Sequence, residues 1–173
     1  MEPAIRHLHA VTEALQQEGI PYSLGGSGLL HALGLTDTVH DWDVMTEAPK
    51  EQVLKALLHL DVQEKPCGDY PFGTEYKLLV HSDHPQVEIL GHFSIYTEKG
   101  RCKLPNISSG LWNGVQVGSP EVWCVAYALM NRRDKSDLLL SFLREKGANQ
   151  QILQMLKNEP LADESAASLL SLE

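Results

Sequence analysis

The sequence predicts an α/β (α+β) fold in which short strands alternate with helices and a small helical subdomain follows. Helical and strand-like hydrophobic patterns alternate through the first two thirds of the chain, turns containing glycine separate them, and the last third is helical in pattern. With 173 residues and 43% hydrophobic content, the chain can bury a core. We expect a core at residues 1–118, a helical subdomain at 119–157 and an acidic tail at 158–173.

The predicted core begins with an amphipathic helix at residues 3–18, which Gly19 ends. The segments that follow are distinguished by their hydrophobic period and by the turn residues between them. They comprise strands at 20–24, 41–46, 62–65, 75–82, 85–90 and 114–118, and helices at 27–33 and 49–60. Between 91 and 114 the pattern is irregular and rich in Gly, Pro, Asn and Ser, which predicts a long loop.

The C-terminal third begins with a strong helix-initiation signal, Ser119-Pro120-Glu121, because Ser caps a helix and Pro is favoured at its first position. The helix at 122–131 is apolar on more than one side and is predicted to be buried. Further helices are expected at 137–146 and 150–157. The tail ends in Leu169, Leu170 and Leu172 and is expected either to fray or to form a helix that docks on a partner chain, for example in a homodimer.

The most informative part of the chain is a Gly25-Gly26-Ser27 turn followed by Asp41 and Asp43. Alternate residues of a strand share a face, so the two carboxylates project together while Trp42 faces the core. Two such charges are unfavourable unless a cation lies between them, and Mg²⁺ prefers oxygen ligands of this kind and often brings substrate phosphates. The glycines let the backbone approach a phosphate, and the amides that start the next helix can bind it. The combination indicates phosphoryl or nucleotidyl transfer.

The turn and the carboxylates belong to one continuous pattern, Gly25-Gly26-Ser27-Gly28-Leu29-Leu30-His31-Ala32-Leu33-Gly34 and then His40-Asp41-Trp42-Asp43-Val44. This pattern resembles the signature of the nucleotidyltransferase superfamily, which has the polymerase-beta-like fold and a mixed sheet. It is most similar to small antibiotic-type members, which act on aminoglycosides or lincosamides, and to abortive-infection-type members. Asp37 and Val39 depart from the family, in which several relatives have an Arg and a small hydroxyl residue at these positions.

The resemblance implies a third carboxylate on a neighbouring strand, and Glu88 is the candidate. It lies alone between Val87 and Ile89, where an acid needs a partner or a metal. The alternative is that strand alternation places Glu88 on a solvated face. The resemblance further implies that Asp41, Asp43 and Glu88 bind two Mg²⁺ or Mn²⁺ ions, with Glu88 otherwise acting as a base, while an NTP donates its NMP and pyrophosphate leaves.

A basic cluster, Arg132-Arg133-Asp134-Lys135, follows the buried helix. Related enzymes often have a cation at this junction, so the resemblance implies that Lys135 binds nucleotide together with Gly25, Gly26 and Ser27. The alternative is an ordinary helix end, where basic residues complement the negative C-terminus of a helix. Lys77, on the strand before Glu88, is a more distant candidate.

Several aromatic and histidine side chains are secondary candidates. Tyr70, Phe72 and Tyr76 could stack on a base, and His40 and His92 are close in sequence to the candidate carboxylates. No pair among the eight histidines has the spacing of a zinc site.

The net charge of −9 disfavours nucleic acid as a partner, because polynucleotide binding generally needs a basic face. An acidic surface suits a small cationic acceptor such as an amino sugar. The sequence has no apolar run long enough for a membrane span and no signal-like start, so we expect no membrane partner. Its three scattered cysteines are consistent with a reducing cytoplasm.

These observations predict a metal-dependent nucleotidyltransferase that moves an NMP to a hydroxyl or amine of a small molecule or protein. In this interpretation the irregular segment 91–114 lines the acceptor pocket. The alternative is a catalytically degenerate nucleotide-binding or antitoxin-like module of the same fold, which the departures at Asp37 and Val39 favour. A third interpretation is a structural subunit that uses its Leu-rich tail.

Overall fold

The structure, a computed structural model, describes residues 3–81 and 83–173. Within these ranges it contains seven helices and nine strands. The helices are α1 (Arg6–Gln17), α2 (Gly26–Ala32), α3 (Lys50–Ala56), α4 (Pro120–Leu129), α5 (Arg133–Lys146), α6 (Gln150–Lys157) and α7 (Asp163–Leu170). The strands are β1 (Ser23–Gly25), β2 (Trp42–Thr46), β3 (Val62–Lys65), β4 (Tyr76–Val80), β5 (Val87–Gly91), β6 (Ser94–Thr97), β7 (Gly100–Lys103), β8 (Ser108–Trp112) and β9 (Val115–Gly118).

Seven of the strands form one mixed sheet in the order β3-β4-β5-β2-β1-β9-β8. The pairs β2–β5 and β1–β9 are parallel, and the remaining neighbours are antiparallel. Strands β6 and β7 form a separate antiparallel hairpin. The three central strands β5, β2 and β1 carry the residues on which the functional prediction depends.

One apolar cluster lies between the sheet and helices α1 and α3. Alternate residues of β2, β4 and β5 are fully buried in it, including Trp42, Leu78 and Ile89. Trp42 also donates a hydrogen bond from its indole nitrogen to the Ala4 carbonyl oxygen, at 3.0 Å. The prediction that Trp42 belongs to the core is confirmed.

A second apolar cluster joins the C-terminal helices to the β6–β7 hairpin. Its members include Ile95 and Cys102 of the hairpin, Trp123 of α4 and Leu143 of α5. Helix α4 begins as predicted, because the Ser119 side chain accepts a hydrogen bond from the Val122 amide, at 3.1 Å. The cluster therefore extends across residue 118, and the division of the chain at 118 and 157 into separate units stays a prediction.

The segment 91–114 is not the long loop that its composition predicts. It contains β6, β7 and β8, and the inward residues Ile95 and Cys102 are directly paired across the hairpin and almost fully buried. Strands of four or five residues give too short an alternation to be recognised, and they are stabilised here by packing against the helical cluster.

The tail forms helix α7, but this helix docks on its own chain. Leu169 and Leu172 are buried in the second cluster, while Leu170 is 58% exposed. The ion pairs Arg133–Glu164 and Lys157–Glu173 also attach the tail to the helices before it. A fraying tail is therefore not observed, and the homodimer that its leucines suggested stays a prediction.

Several further bounds differ from the sequence prediction: for example, β1 is Ser23–Gly25 rather than 20–24, and α1 is Arg6–Gln17 rather than 3–18. Helix α3 ends at Ala56 rather than near residue 60, and α5 begins at Arg133 rather than at 137. The strand expected at 75–82 is β4, and Ser82 lies outside the described residues. Among the helices of the described ranges, none has the length and apolar character needed to cross a membrane.

Candidate active site

Adjacent strands bring the glycine turn and the predicted carboxylates into one row. Gly25 at the end of β1 lies opposite Asp43 on β2, and Asp43 lies opposite Glu88 on β5. Because side chains alternate along a strand, Asp43 and Glu88 leave the sheet on the face opposite to Trp42. Asp41, Asp43 and Glu88, the three carboxylates that the sequence singled out, all line one cleft of about 440 Å³.

Gly26 holds the turn directly against a carboxylate. Its φ of +57° is in the left-handed region that favours glycine, and a β-carbon there would lie 2.1 Å from Oδ2 of Asp43. Gly26 and Ser27 line the cleft at the start of α2. Gly25 lies behind them, where a β-carbon would be 2.1 Å from Cζ2 of Trp123, and its binding of nucleotide stays a prediction.

Asp41 is held in place from the neighbouring strand. Its Oδ1 accepts a hydrogen bond from the Gln86 amide at 3.0 Å, and Nδ1 of His84 lies 3.0 Å from the same oxygen. The Asp41 side chain is 31% exposed, so it still faces the cleft. These contacts fix the carboxylate through one oxygen.

Asp43 is the electrostatic centre of the row. The pKa of Asp43 is raised to about 7. Burial is the largest cause of this rise, and the negative charges of Glu88 and Asp41 add to it. Lys77 and Lys135 act in the opposite direction and lower the pKa without cancelling the shift. A cation bound beside Asp43 would favour the charged form of this carboxylate.

Lys77 lies closer to the carboxylates than its sequence position suggested. Its Nζ is 2.7 Å from Oε1 of Glu88, and both residues line the cleft. Strand β4 places Lys77 on the side of Glu88 that is away from Asp43. The alternative in which Glu88 lies on an open solvated face does not apply, because its side chain is only 21% exposed and is paired.

Two cations of the predicted basic cluster face the carboxylates across the cleft. Arg132 and Lys135 line it, and Nζ of Lys135 lies 5.5 Å from the centroid of the Tyr127 ring. Arg133 instead pairs with Glu164 of the tail helix. The cluster therefore divides into a cation that anchors the tail and two that can reach a ligand.

An aromatic surface completes the cleft, and sequence reasoning did not identify it. The rings of Phe93 and Trp123 are stacked with centroids 5.4 Å apart, and Tyr127 is 5.5 Å from Trp123. All three line the cleft although they are nearly buried. Trp123 and Tyr127 are four residues apart on α4 and so share a face, which was the one available signal.

Only some of the aromatic and histidine side chains that were secondary candidates line the cleft. Phe72 and His40 line the cleft, whereas Tyr76 is buried and its hydroxyl donates a hydrogen bond to the Ala48 carbonyl at 2.6 Å. Tyr76 therefore has no free face for a base. Nε2 of His92 lies 3.7 Å from Oε2 of Glu75, away from the carboxylate row.

The carboxylates of the cleft are the candidate ligands of a divalent ion. Across residues 3–81 and 83–173, no group of three or more His, Cys, Asp and Glu is close enough to hold a metal ion by itself. Mg²⁺ usually binds one or two carboxylates together with substrate phosphates. Asp41 and Asp43 fit that mode, because both line the cleft together with Gly26 and Ser27, and Asp43 lies against Gly26.

No model of a protein family matches the sequence, and no curated protein matches it. A Thermotoga maritima protein that is provisionally assigned as a nucleotidyltransferase matches in structure, with a TM-score of 0.60 and 20% identity over 82% of this chain and 93% of that chain. The crystal structure of ANT(2″)-Ia in complex with adenylyl-2″-tobramycin has a TM-score of 0.57 and 15% identity, over 98% of each chain.

A solution structure of the antibiotic-resistance factor ANT(2″)-Ia also matches, with a TM-score of 0.57 and 16% identity over 96% of this chain and 94% of that chain. The chain therefore has the nucleotidyltransferase fold, with the mixed α+β architecture expected from the sequence. The resemblance drawn from the glycine turn and the carboxylates is confirmed at the level of the fold.

Proposed function

We propose that the protein is a nucleotidyltransferase that moves an NMP from an NTP to a hydroxyl or amine of an acceptor. The observation that carries this proposal is the row of Asp43 and Glu88 beside Gly26, in one cleft with the cations Arg132 and Lys135. Within a nucleotidyltransferase fold, such a cleft would hold a metal and a triphosphate and would accept a proton.

The donor would bind between the glycine turn and the basic residues. Gly26 and Ser27 would contact the β- and γ-phosphates, and Arg132 and Lys135 would offset their charge from the opposite side. Asp41 and Asp43 would hold Mg²⁺ or Mn²⁺, which when bound supplies positive charge at the reacting phosphate. The aromatic surface at Trp123 would exclude water from this end of the cleft.

In the transfer step, the acceptor oxygen or nitrogen forms a bond to the α-phosphorus while the bond to the bridging oxygen breaks. Pyrophosphate leaves with the bonding electrons of that bridge. The acceptor loses one proton, and we assign its removal to the carboxylate of Glu88.

The acceptor that we propose to test first is a small cationic molecule. The net charge of −9 favours such a ligand over a polynucleotide, and the structural neighbour ANT(2″)-Ia is described with adenylyl-2″-tobramycin. ATP is accordingly the first donor to test.

The direct experiment incubates the purified protein with each NTP, Mg²⁺ or Mn²⁺, and a panel of amino sugars, hydroxyl compounds and protein acceptors. Pyrophosphate release and the mass of the modified acceptor are measured. A product heavier by one NMP that requires metal and is lost in Asp43→Asn would support the proposal.

The degenerate-module interpretation is favoured by Asp37, which is exposed and lacks the charge of the family's Arg. It predicts that NTP binds without turnover with every acceptor. Equal NTP binding by wild type and Asp43→Asn, with pyrophosphate released by neither, would favour it over an enzyme.

A further inference from the structure

The loop at residues 66–74, which connects β3 to β4, forms a large part of the cleft surface. We call it the β3–β4 loop. Six of its nine residues line the cleft, namely Pro66, Cys67, Gly68, Asp69, Phe72 and Thr74. None of them belongs to the proposed donor or metal site, so this part of the cleft is open to a second ligand.

The order of the strands places this loop and the glycine turn on opposite sides of the carboxylates. The sheet runs β3-β4-β5-β2-β1, so the loop lies on the side of Glu88, whereas the turn follows β1 on the side of Asp43. Lys65, the last residue of β3, is level with Lys77, whose Nζ is 2.7 Å from Oε1 of Glu88. With the triphosphate at Gly26, an acceptor that gives its proton to Glu88 therefore lies towards the β3–β4 loop.

The β6–β7 hairpin supports the loop from behind. The Gly73 amide donates a hydrogen bond to the Ser94 carbonyl oxygen, at 2.9 Å. The Tyr96 amide donates one to the Pro71 carbonyl oxygen, at 2.6 Å. The Arg101 side chain donates to the Ser94 hydroxyl at 2.9 Å and to the Gly73 carbonyl oxygen at 3.2 Å. The side chains of the loop that line the cleft are therefore held on an attached backbone.

Two side chains of the loop are available to a ligand. The Asp69 carboxylate is exposed and lines the cleft, and among the residues that the structure describes it has no ion-pair partner. The Phe72 ring also lines the cleft and is 37% exposed. A turn holds the two together, because the Phe72 amide donates to the Asp69 carbonyl oxygen at 2.8 Å. A carboxylate and an aromatic face both attract an ammonium group.

From this placement we propose that the β3–β4 loop is the acceptor site, in which Asp69 pairs with an ammonium group and Phe72 packs against the carbon atoms that bear it. This inference rests on the proposed function and names the residues that set acceptor specificity. Glu88 remains the group that takes the proton. The segment 91–114, which the sequence suggested as the lining of the acceptor pocket, instead supports the loop through its hairpin and contributes Phe93 to the cleft.

Cys67 provides a direct reporter of this site. It lines the cleft and is partly exposed, whereas Cys102 and Cys124 are buried. Burial raises the pKa of Cys102 to about 12 and that of Cys124 to about 11, so neither readily forms the reactive thiolate at neutral pH. Iodoacetamide should therefore alkylate Cys67 selectively, at a rate that falls as a ligand occupies the loop.

The test measures this rate by mass spectrometry with Mg²⁺ and the α,β-methylene analogue of each NTP in turn, which cannot be cleaved at the reacting bond. The probes are tobramycin and its fully N-acetylated derivative, which has no ammonium group. Tobramycin should slow the alkylation of wild type, and the acetylated derivative should not.

Three variants identify the groups that bind the probe. Asp69→Asn should raise the tobramycin concentration that gives half-protection by at least about fivefold, and Phe72→Leu should raise it by about threefold. Asp61→Asn is the matched control, because Asp61 is an exposed aspartate that precedes β3 at its other end and does not line the cleft. It should give the wild-type value.

Thermal shift with the same analogues and Mg²⁺ measures donor binding separately. Stabilisation of wild type and Asp69→Asn alike would show that the donor site is intact in both. In that case, no protection of wild type by tobramycin, equal protection by the acetylated derivative, or an unchanged half-protection concentration in Asp69→Asn would overturn the inference and leave the proposed function standing. No stabilisation of wild type by any analogue would overturn both.

Discussion

The two walls of the cleft are built in different ways. The sheet wall, formed by Gly26, Asp41, Asp43, Lys77 and Glu88, has its geometry fixed by strand register and alternation. The helical wall, formed by Trp123, Tyr127, Arg132 and Lys135, has its position fixed by the packing of α4 and α5 in the second apolar cluster. We therefore expect chemistry to depend on the sheet wall and donor affinity to depend on the helical wall.

The largest expected effect is on the sheet wall. Asp43→Asn keeps the shape of the side chain but removes the charge at the centre of the row, so it should lower kcat by at least about 10³-fold. The assay is pyrophosphate release with the acceptor found in the screen. Retention of kcat within tenfold of wild type would remove Asp43 from the site.

A substitution in the glycine turn tests the backbone of the same wall. Gly26→Ala puts a methyl carbon where it collides with Oδ2 of Asp43, and the displaced carboxylate should lower kcat by about a hundredfold. Gly34→Ala is the matched control, because Gly34 also has a positive φ, of +77°, but nothing lies within 4 Å of its β-carbon.

Both variants should lose about 1 kcal/mol of stability from backbone strain, since an L residue is unfavourable in the left-handed region. Thermal unfolding measures this shared cost. If Gly34→Ala lowered kcat as much as Gly26→Ala, the loss would come from strain and not from the contact with Asp43.

A substitution in the helical wall should act on binding. Lys135→Met removes a cation that faces the triphosphate site, so the KM for the NTP should rise by about tenfold with a smaller change in kcat. Lys146→Met, at the exposed end of the same helix, is the control. A fall in kcat with unchanged KM would place Lys135 in the chemical step and remove the distinction between the walls.

The smallest expected effect is the dependence of stability on pH. The pKa of Asp43 rises from 3.8 in the unfolded chain to about 7 in the folded protein, so the folded state holds this proton more tightly. The stability that Asp43 contributes is complete below the unfolded pKa and is lost as the pH rises through 7. For metal-free protein the loss should be about 2 kcal/mol between about pH 5 and pH 8.

Thermal unfolding of wild type and Asp43→Asn across this pH range isolates the contribution of Asp43. The asparagine variant should lack the decline and should be the more stable protein at pH 8. Parallel pH profiles for the two proteins would show that Asp43 does not titrate in this range.

The sheet wall could be predicted from the sequence because its information is local. Gly26 lies at a turn, and alternation along one strand determines the face that Asp41 and Asp43 share. That Glu88 joins them depends on β5 being the neighbour of β2, which the family resemblance implied. The contact of Lys77 with Glu88 could not be predicted, since it depends on β4 being the neighbour of β5.

The helical wall could be predicted only in part. The Ser119 cap and the buried character of α4 were apparent, but the stacking of Phe93 on Trp123 depends on tertiary packing. The same packing stabilises the short β6–β7 hairpin and buries Leu169 of α7, so the segments 91–114 and 158–173 departed most from expectation.

The most direct test of the central claim is a thermal-shift titration with each NTP, with and without Mn²⁺, on wild type and Asp43→Asn. A donor present at a hundred times its Kd should stabilise wild type by about 2.7 kcal/mol. For a chain of this size that is a rise in Tm of about 5–10 °C. The account predicts such a rise with at least one NTP, only when Mn²⁺ is present, and its loss in Asp43→Asn. An equal rise in both proteins, or none with any NTP, would contradict a metal-dependent nucleotide site at this carboxylate row.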